Sequence, residues 1–170
     1  TVSFVDGPGK ATVGGAYNLS GATVVTAGKV DFTGPAPVLG GAANSYTQTG
    51  GVAHFESHGT TLGPNPVLQS GEMDFDTGDA LTFQSLTAGV APYSATIGGS
   101  DSLTVSNAVT GTYVTFTGSG RLRSAGTASA VLFRLNGWTV ENAGQFQVTT
   151  VDTVTDGTLD NLAGGMITLV

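Results

Sequence analysis

The chain has 170 residues, of which 27 are Gly, 26 are Thr and 13 are Ser, and only 10% carry a charged side chain. Hydrophobic residues still make up 39%, which excludes a disordered chain of low hydropathy and high charge. The net charge of −7, with only five Lys and Arg residues, excludes a basic surface that follows nucleic-acid phosphates. The sequence has no run of about 18 apolar residues, so it predicts no membrane-spanning helix.

Short segments rich in β-branched and aromatic residues, each closed by Gly, Asn or Asp, predict strands along the whole chain. In chain order they are residues 1–5, 24–25, 29–32, 73–75, 81–83, 113–117, 146–148 and 151–155. No comparable stretch has an apolar face at helical spacing. The sequence therefore predicts an all-β fold and a single β domain over residues 1–170.

Two segments near the C-terminal end share a pattern of Thr, aliphatic residue, acid and Asn, followed by Ala-Gly. They centre on Asn142 and Asn161, which lie 19 residues apart. Ser124 stands 18 residues before Asn142, and Asn107 stands 17 before Ser124. Fainter echoes of the pattern occur at Ser20, Thr49, Ser70 and Thr87. The average step from the first echo to the last copy is about 20 residues.

A step of this length is typical of one coil of a parallel β-solenoid, in which each residue stacks on its counterpart about 4.8 Å away. The predicted fold is a solenoid of about seven irregular coils, less regular over residues 1–102 and clearer over 103–170. Ser124, Asn142 and Asn161 are expected to form one hydrogen-bonded column at a turn. Asn107 matches the pattern poorly.

Residues 139–144 and 158–165 resemble the leucine, asparagine and alanine-glycine coils of large secreted bacterial surface proteins of the autotransporter passenger and filamentous-haemagglutinin type. The resemblance covers residues 103–170. It implies a right-handed parallel β-helix, export to the cell surface and an adhesive or scaffolding role, and its structural motifs imply no catalytic residue. Pro-containing inserts at 34–41 and 61–66 depart from the pattern. Since both ends of the chain are strand-like without polar caps, we expect an excerpt of a longer protein.

These features are compatible with three functions. The first is a non-enzymatic structural or adhesive segment of a bacterial cell-surface protein, whose partners are copies of itself, a host surface or a polysaccharide. The second is a self-polymerising, pilin-like filament subunit, an antiparallel β-sandwich completed by a strand donated from residues 1–5. The third is a carbohydrate-binding or carbohydrate-active β-helix with a groove lined by acids or aromatic residues. The sequence has no Cys and no Gly-x-Ser-x-Gly motif, so we expect that the protein is not an enzyme.

The densest acidic segment is residues 72–79, where Asp74, Asp76 and Asp79 are candidate ligands for Ca²⁺. With the apolar residues of the segment inward, alternation places Glu72, Asp74 and Asp76 on the outer face of a strand. Carboxylate oxygens suit Ca²⁺, although the order of acid and Gly is the reverse of that in an EF-hand loop. The other interpretation is a solvated acidic edge that discourages edge pairing.

Both histidines of the chain lie in residues 54–58. On a strand, His54, Glu56 and His58 share one face, and two imidazoles with a carboxylate can bind Zn²⁺. A straight strand places the two histidines about 13 Å apart, so a zinc site requires a turn at Ser57. Without that turn these residues are exposed polar groups.

Several side chains of the clearer coils have expected structural roles. Arg123 and Glu141 are expected to form an ion pair between coils. Trp138 is expected to close a core column, because a lone Trp near a turn is more often packed than sugar-binding. The apolar residues expected to supply inward columns near the C-terminal end are Leu159, Leu162, Met166, Ile167 and Leu169.

Overall fold

The computed structural model describes residues 1–5, 9–19, 21–41, 45–153 and 156–170, so Ser20 of the predicted repeat lies outside the described residues. Within these ranges the structure is all β, and no helix occurs. The strands are β1 (Val2–Phe4), β2 (Lys10–Val13), β3 (Thr23–Val25), β4 (Lys29–Phe32), β5 (Val38–Gly40), β6 (Thr47–Gln48), β7 (Val52–Phe55), β8 (Thr61–Leu62), β9 (Val67–Leu68), β10 (Gly71–Phe75), β11 (Ala80–Ala88), β12 (Ser94–Gly99), β13 (Ser102–Gly111), β14 (Tyr113–Gly118), β15 (Arg121–Ser124), β16 (Thr127–Asn136), β17 (Thr139–Asn142), β18 (Gln145–Thr153), β19 (Thr158–Asn161) and β20 (Met166–Leu169).

The strands wind around three faces, and the longer strands β11, β13, β16 and β18 turn a corner to serve two faces each. Face A contains β2, β4, β7, β10, β12, β14 and the C-terminal halves of β16 and β18. Face B contains β5, β8, the N-terminal halves of β11 and β13, and β15, β17 and β19. Face C contains β1, β3, β6, β9, the C-terminal halves of β11 and β13, the N-terminal halves of β16 and β18, and β20.

This arrangement is a parallel β-solenoid of about eight turns with a period of about 19 residues, which confirms the predicted fold. The repeat pattern predicted about seven coils of about 20 residues. The antiparallel β-sandwich is wrong, because neighbouring described strands pair in parallel on every face. The strand that it required as a donor, β1, pairs in parallel with β3 of the same chain.

Alternation of inward and outward residues builds the core. In β15 the inward residues are buried and both arginines are exposed. On face A, Phe32, Phe55 and Phe75 are paired in register in successive coils. Their ring centroids lie 5.3 and 4.9 Å apart with nearly parallel planes. The core is therefore a stack of apolar side chains along the solenoid axis, held by the burial of apolar surface.

Glycines form a column at the corner between faces A and B. Gly99, Gly118 and Gly137 have positive φ values of 100°, 114° and 82°. A Cβ on Gly118 would lie only 2.4 Å from the carbonyl oxygen of Gly99 in the preceding coil. Both the backbone conformation and the close approach of the coils therefore require glycine at this corner.

The predicted polar column lies at the end of face B. Ser124, Asn142 and Asn161 are paired in register in β15, β17 and β19. The buried Asn142 amide donates to Asn161 Oδ1 at 2.8 Å and to the Met166 carbonyl at 3.0 Å, and its Oδ1 accepts from the Gly144 N–H at 3.2 Å. The column is confirmed, but Ser124 Oγ is buried without a hydrogen-bond partner among the described residues, so the ladder does not extend to it.

The earlier echoes of the repeat are wrong. Val105, rather than Asn107, pairs with Ser124. The fainter echoes within the described residues lie on face C or at the corner that follows it: Thr49, Ser70 and Thr87. A fixed step misses the true register because the early coils vary in length, whereas the register of the later coils is nearly constant.

The last coil is less buried than predicted. Leu159 and Ile167 pack against the core, and Leu162 is half-buried. Met166 and Leu169 are exposed. The prediction of inward columns is therefore confirmed for Leu159 and Ile167. It is wrong for Met166, which occupies an outward position of β20.

Two other expectations concern the clearer coils. Trp138 is fully buried as predicted, and its indole N–H donates to the carbonyl of Thr117 at 2.8 Å. Glu141 is in register with Arg123, but its carboxylate contacts Arg121 at 3.1 Å instead. The predicted ion pair between coils is therefore present with a different arginine.

The Asn column predicts a specific stability cost. Asn142→Leu removes an amide that satisfies two carbonyl groups and one backbone N–H, so urea unfolding should show a loss of about 1–3 kcal/mol. Asn107→Leu is the matched control, since Asn107 is exposed and lies outside the column, and its effect should stay within about 0.5 kcal/mol. Equal costs for both substitutions would contradict the register.

Candidate functional site

Charged side chains gather on the outer surface of face A, across neighbouring coils near the N-terminal end. Register brings them together, because Thr12, Asp31, His54 and Asp74 occupy one outward column. Both lysines of the chain lie beside this column. We name the group the face A cluster, and its members are Lys10, Lys29, Asp31, His54, Glu56 and Asp74.

Asp31 is the buried centre of the face A cluster. Its side chain is only 1% exposed, although the position faces outward on β4. The Lys10 ammonium group forms an ion pair with Asp31 Oδ2, and this contact raises the pKa of the Lys10 amine. The Lys29 Nζ atom lies 3.9 Å from Oδ1, beyond hydrogen-bonding distance. Oδ1 therefore accepts no hydrogen bond from the described residues.

His54 stands between acidic groups on both sides of its ring. Its Nδ1 atom lies 3.9 Å from Asp31 Oδ1 and 4.0 Å from Glu56 Oε1. Its Nε2 atom lies 3.4 Å from Asp74 Oδ2. A neutral imidazole carries its proton on one nitrogen and a lone pair on the other. With the proton on Nε2, the nitrogen nearer Asp74, the unprotonated Nδ1 is the nitrogen that lies near the other two carboxylates.

Asp74 bounds the cluster on the side of the following coil. Burial raises the pKa of the Asp74 carboxyl group, and the neighbouring Asp76 carboxylate raises it further, whereas His54 opposes the rise. Gly98 is the next residue in the same outward column. A Cβ on Gly98 would lie 2.8 Å from Asp74 Oδ1, so the glycine leaves room for the carboxylate.

His58 belongs to a different contact, at the turn between faces A and B. Its Nδ1 atom lies 2.9 Å from Asp79 Oδ1, and Asp79 Oδ2 accepts a hydrogen bond from the Gly59 N–H at 2.8 Å. The hydrogen bond to Asp79 raises the pKa of the His58 imidazole, and the same bond lowers the pKa of the Asp79 carboxyl group. Of the three residues predicted to bind zinc, His54 and Glu56 therefore lie near each other, whereas His58 contacts Asp79 instead.

The three aspartates predicted as Ca²⁺ ligands lie around one corner of the solenoid. Asp74 is on β10, Asp76 follows that strand, and Asp79 directly precedes β11 with its carboxylate already hydrogen-bonded. Among the described residues, the acidic and histidine side chains whose ligand atoms all lie within 4.8 Å of one another form a different group: Asp31, His54 and Glu56. Calcium binding by the three aspartates stays a prediction.

A cleft interrupts face B between β8 and β11. These strands belong to neighbouring coils, yet no strand pairing joins them in the described structure. The coils are held together at the two ends of the gap, where the Gly59 N–H donates to Asp79 and the Gln84 N–H donates to the Pro64 carbonyl at 2.7 Å. The resulting cleft has a volume of about 730 Å³ and is lined by residues of β5, β8, the first half of β11 and the adjoining turns.

The two Pro-containing inserts of the sequence lie at this cleft. They contain β5 and β8, which pair with each other in a small separate sheet, and β5 is also joined to the preceding coil by a parallel bridge between Val38 and Asn18. Proline has no backbone N–H to donate to a neighbouring strand, and Pro64 lies directly in the segment that faces β11. The inserts therefore lie where face B splits, while faces A and C continue.

Sequence reasoning missed Asp31 and the two lysines as neighbours of His54. The register steps from Asp31 to His54 and from His54 to Asp74 differ, so no fixed period aligns them. A recurring dipeptide could have found them, because each of these three outward residues directly precedes an inward phenylalanine: Asp31-Phe32, His54-Phe55 and Asp74-Phe75.

Comparison with known proteins gives no match to a family model, to a curated protein or to a solved structure. In the part of the chain that the structure describes, no helix is long and apolar enough to cross a bilayer. Function is therefore inferred from the fold and from the chemistry of its faces.

The contact between His58 and Asp79 should stabilise the fold only within a window of pH, because both groups must be charged. The raised His58 pKa contributes stability that is complete below the ordinary value of 6.5 and is lost as pH rises through the folded-state pKa. The lowered Asp79 pKa contributes stability that is complete above 3.8 and is lost as pH falls through its folded-state pKa. In an NMR titration, Asp79→Asn should shift the His58 pKa down toward 6.5. An unchanged His58 pKa would show that the contact does not form in solution.

Proposed function

We propose that this chain is a non-enzymatic structural or adhesive segment of a bacterial cell-surface or secreted protein. The observation that carries the proposal is the parallel stacking of faces A and C, which continues without a break through about eight turns. A solenoid of this kind grows in one dimension, since each coil contacts chiefly its two neighbours. At a coil spacing of about 4.8 Å, about eight turns form a rod of roughly 40 Å.

The stacked side chains favour a mechanical role. Phe32, Phe55 and Phe75 join successive coils in the first half of the chain, and Phe116 and Phe133 stack at 5.7 Å in the second half. Removing one interior coil would break two sets of backbone hydrogen bonds and expose apolar surface on both sides. Such coupling makes the rod resist local unravelling, which suits a segment that holds a partner at a distance.

The outer surface supports adhesion through uncharged polar groups. Thr96 and Thr115 are in register on face A, and the hydroxyl groups of Thr87 and Thr110 lie 3.2 Å apart on face C. Only 10% of the residues are charged, and several of these charges are confined to the face A cluster. Rows of hydroxyl groups offer hydrogen bonds to a host surface, a polysaccharide or another copy of the chain.

The Asn columns support the resemblance to the autotransporter passenger and filamentous-haemagglutinin type. In that pattern Asn is followed by Ala-Gly, and here the Asn142 amide bonds into the next coil. A Cβ on Gly144, the glycine of the Ala-Gly that follows Asn142, would lie 1.9 Å from the carbonyl oxygen of Gly126 in the preceding coil. The close approach of the coils therefore explains why glycine follows the asparagine in this motif. The proposed export to the cell surface is based on the resemblance.

Surface location gives the direct test of the proposal. In intact cells of the source bacterium, an antibody raised against residues 103–170 should label the surface, and added protease should remove that label. A cytosolic protein of the same cells serves as the control for lysis. Labelling that requires permeabilised cells would contradict a cell-surface role.

The cleft on face B favours carbohydrate binding as a second candidate function. Its volume of about 730 Å³ lies within the range of small-molecule sites, and both Asp79 and Phe83 contribute to its lining. Thr60 and Thr82 add hydroxyl groups. An acidic group and an aromatic ring in one open cleft favour a sugar as the ligand, although the Asp79 oxygens already bond to His58 and Gly59.

A panel of acidic and neutral polysaccharides tests this second candidate. Thr82→Arg fills the cleft with a long side chain and should weaken binding of a retained polysaccharide at least about tenfold. Thr104→Arg is the matched control, because Thr104 occupies the same column one coil later and lies outside the cleft lining. Equal binding by both variants would exclude the cleft as the site, and release of shortened chains would contradict the non-enzymatic interpretation.

A further inference from the structure

Among the described residues, Asp31 and Asp101 have buried side chains, and the two carboxylates differ in their hydrogen bonds. The Asp101 carboxylate accepts hydrogen bonds from the Thr77 N–H and hydroxyl at 2.9 Å and from the Gly78 N–H at 2.6 Å. Asp31 is equally buried, but its Oδ1 accepts no hydrogen bond from the described residues. A buried carboxylate oxygen without a donor is costly unless a cation compensates it.

Two other side chains that can donate an electron pair, His54 and Glu56, lie near this carboxylate. One ligand atom from each of Asp31, His54 and Glu56 lies within 4.8 Å of the other two. His54 Nδ1 is 3.9 Å from Asp31 Oδ1 and 4.0 Å from Glu56 Oε1. Ligand atoms of a tetrahedral zinc ion with bonds of 2.0–2.2 Å are about 3.3–3.6 Å apart. Small rotations of the side chains therefore bring the three atoms to coordination distance.

We propose that Asp31, His54 and Glu56 bind a divalent cation of the zinc class through these three atoms. The ion gives Asp31 Oδ1 a partner at bonding distance, which neither lysine provides, and it accepts the lone pair of His54 Nδ1. Glu56 is 45% exposed, so the ion enters from the solvent side and solvent completes its coordination. This site is independent of the proposed adhesive function.

Asp74 acts as a positioning residue for the imidazole. Metal-bound histidines commonly donate their other ring N–H to a carboxylate, which fixes the tautomer and the ring orientation. Asp74 Oδ2 lies 3.4 Å from His54 Nε2, on the side of the ring opposite the proposed ion. With the ion bound, a small shift lets the Nε2–H donate to Asp74, which would hold the proton on Nε2 and leave Nδ1 to coordinate.

The two lysines are compatible with the bound ion. Lys10 pairs with Asp31 Oδ2, so the other oxygen of the same carboxylate remains available. The Lys29 ammonium group lies 3.9 Å from Oδ1 and its side chain is 41% exposed, so it can turn into solvent when the ion binds. Acidic groups still outnumber the lysines in the face A cluster and beside it, since Glu72 and Asp76 also surround Asp74.

The ligand set favours zinc over calcium. Calcium takes six to eight oxygen ligands, whereas one imidazole nitrogen with two carboxylate oxygens is a set that zinc and neighbouring transition metals accept. Three protein ligands with an open fourth position are also usual for zinc at an accessible site.

Calorimetric titration of the untagged full chain with ZnCl₂ tests the proposal, with Co²⁺ absorption as a second readout of coordination. We expect one ion per chain, and zinc should raise the melting temperature of the wild type. His54→Gln and Glu56→Gln should each weaken binding at least about tenfold, and Asp74→Asn should weaken it by about tenfold to a hundredfold. Circular dichroism without metal shows whether each variant folds, and the half-exposed Glu56 gives a variant that leaves the core intact.

His58→Gln is the matched control, because it removes the other histidine of the chain and leaves the face A cluster unchanged. Its zinc affinity should equal that of the wild type. The proposal is overturned if the wild type binds no zinc, if His54→Gln and Glu56→Gln bind it as tightly as the wild type, or if His58→Gln loses binding.

Discussion

Parallel stacking of successive coils in register is the interaction on which the rest of this structure depends. Backbone hydrogen bonds link each coil to the next, so a residue on one coil lies against its counterpart about 4.8 Å away. Each position around a coil therefore becomes a column with its own requirement. The inward column of Phe32, Phe55 and Phe75 requires apolar side chains. The corner column of Gly99 and Gly118 requires the absence of a Cβ, since the coils approach too closely for one.

Register also decides which polar groups meet on the outer surface. Like charges in one column would repel at coil spacing, and the column through Asp31, His54 and Asp74 avoids this by placing an imidazole between two carboxylates. The same column continues through Gly98 and becomes uncharged on later coils. A cation bound by the face A cluster would join β4 to β7, with Asp74 adding a contact from β10, and so would reinforce the stacking that brings its ligands together.

The repeat near the C-terminal end was predictable because the later coils have nearly constant length, and Asn142 and Asn161 mark the same corner on adjacent coils. The all-β class followed from strand patterns that need no knowledge of register. Asn107 was misplaced, and Asp31 was missed as a neighbour of His54, because turns and inserts of unequal length shift the register of the early coils. The sequence also could not predict which neighbouring side chain forms a contact within a given register. Glu141 is aligned with Arg123, but its carboxylate contacts Arg121.

Disulfide trapping of adjacent coils tests the register directly, since the chain has no cysteine of its own. Thr87 and Thr110 are paired on face C with their hydroxyl groups 3.2 Å apart, so cysteines at both positions should form a disulfide under mild oxidation. Cysteines at Thr87 and Ala108 are the matched control, because Ala108 is aligned with Ser85 and lies two positions away along the strand. Parallel stacking in this register predicts rapid closure of the first pair and little of the second. Equal closure of both pairs, or closure of the second alone, would contradict it.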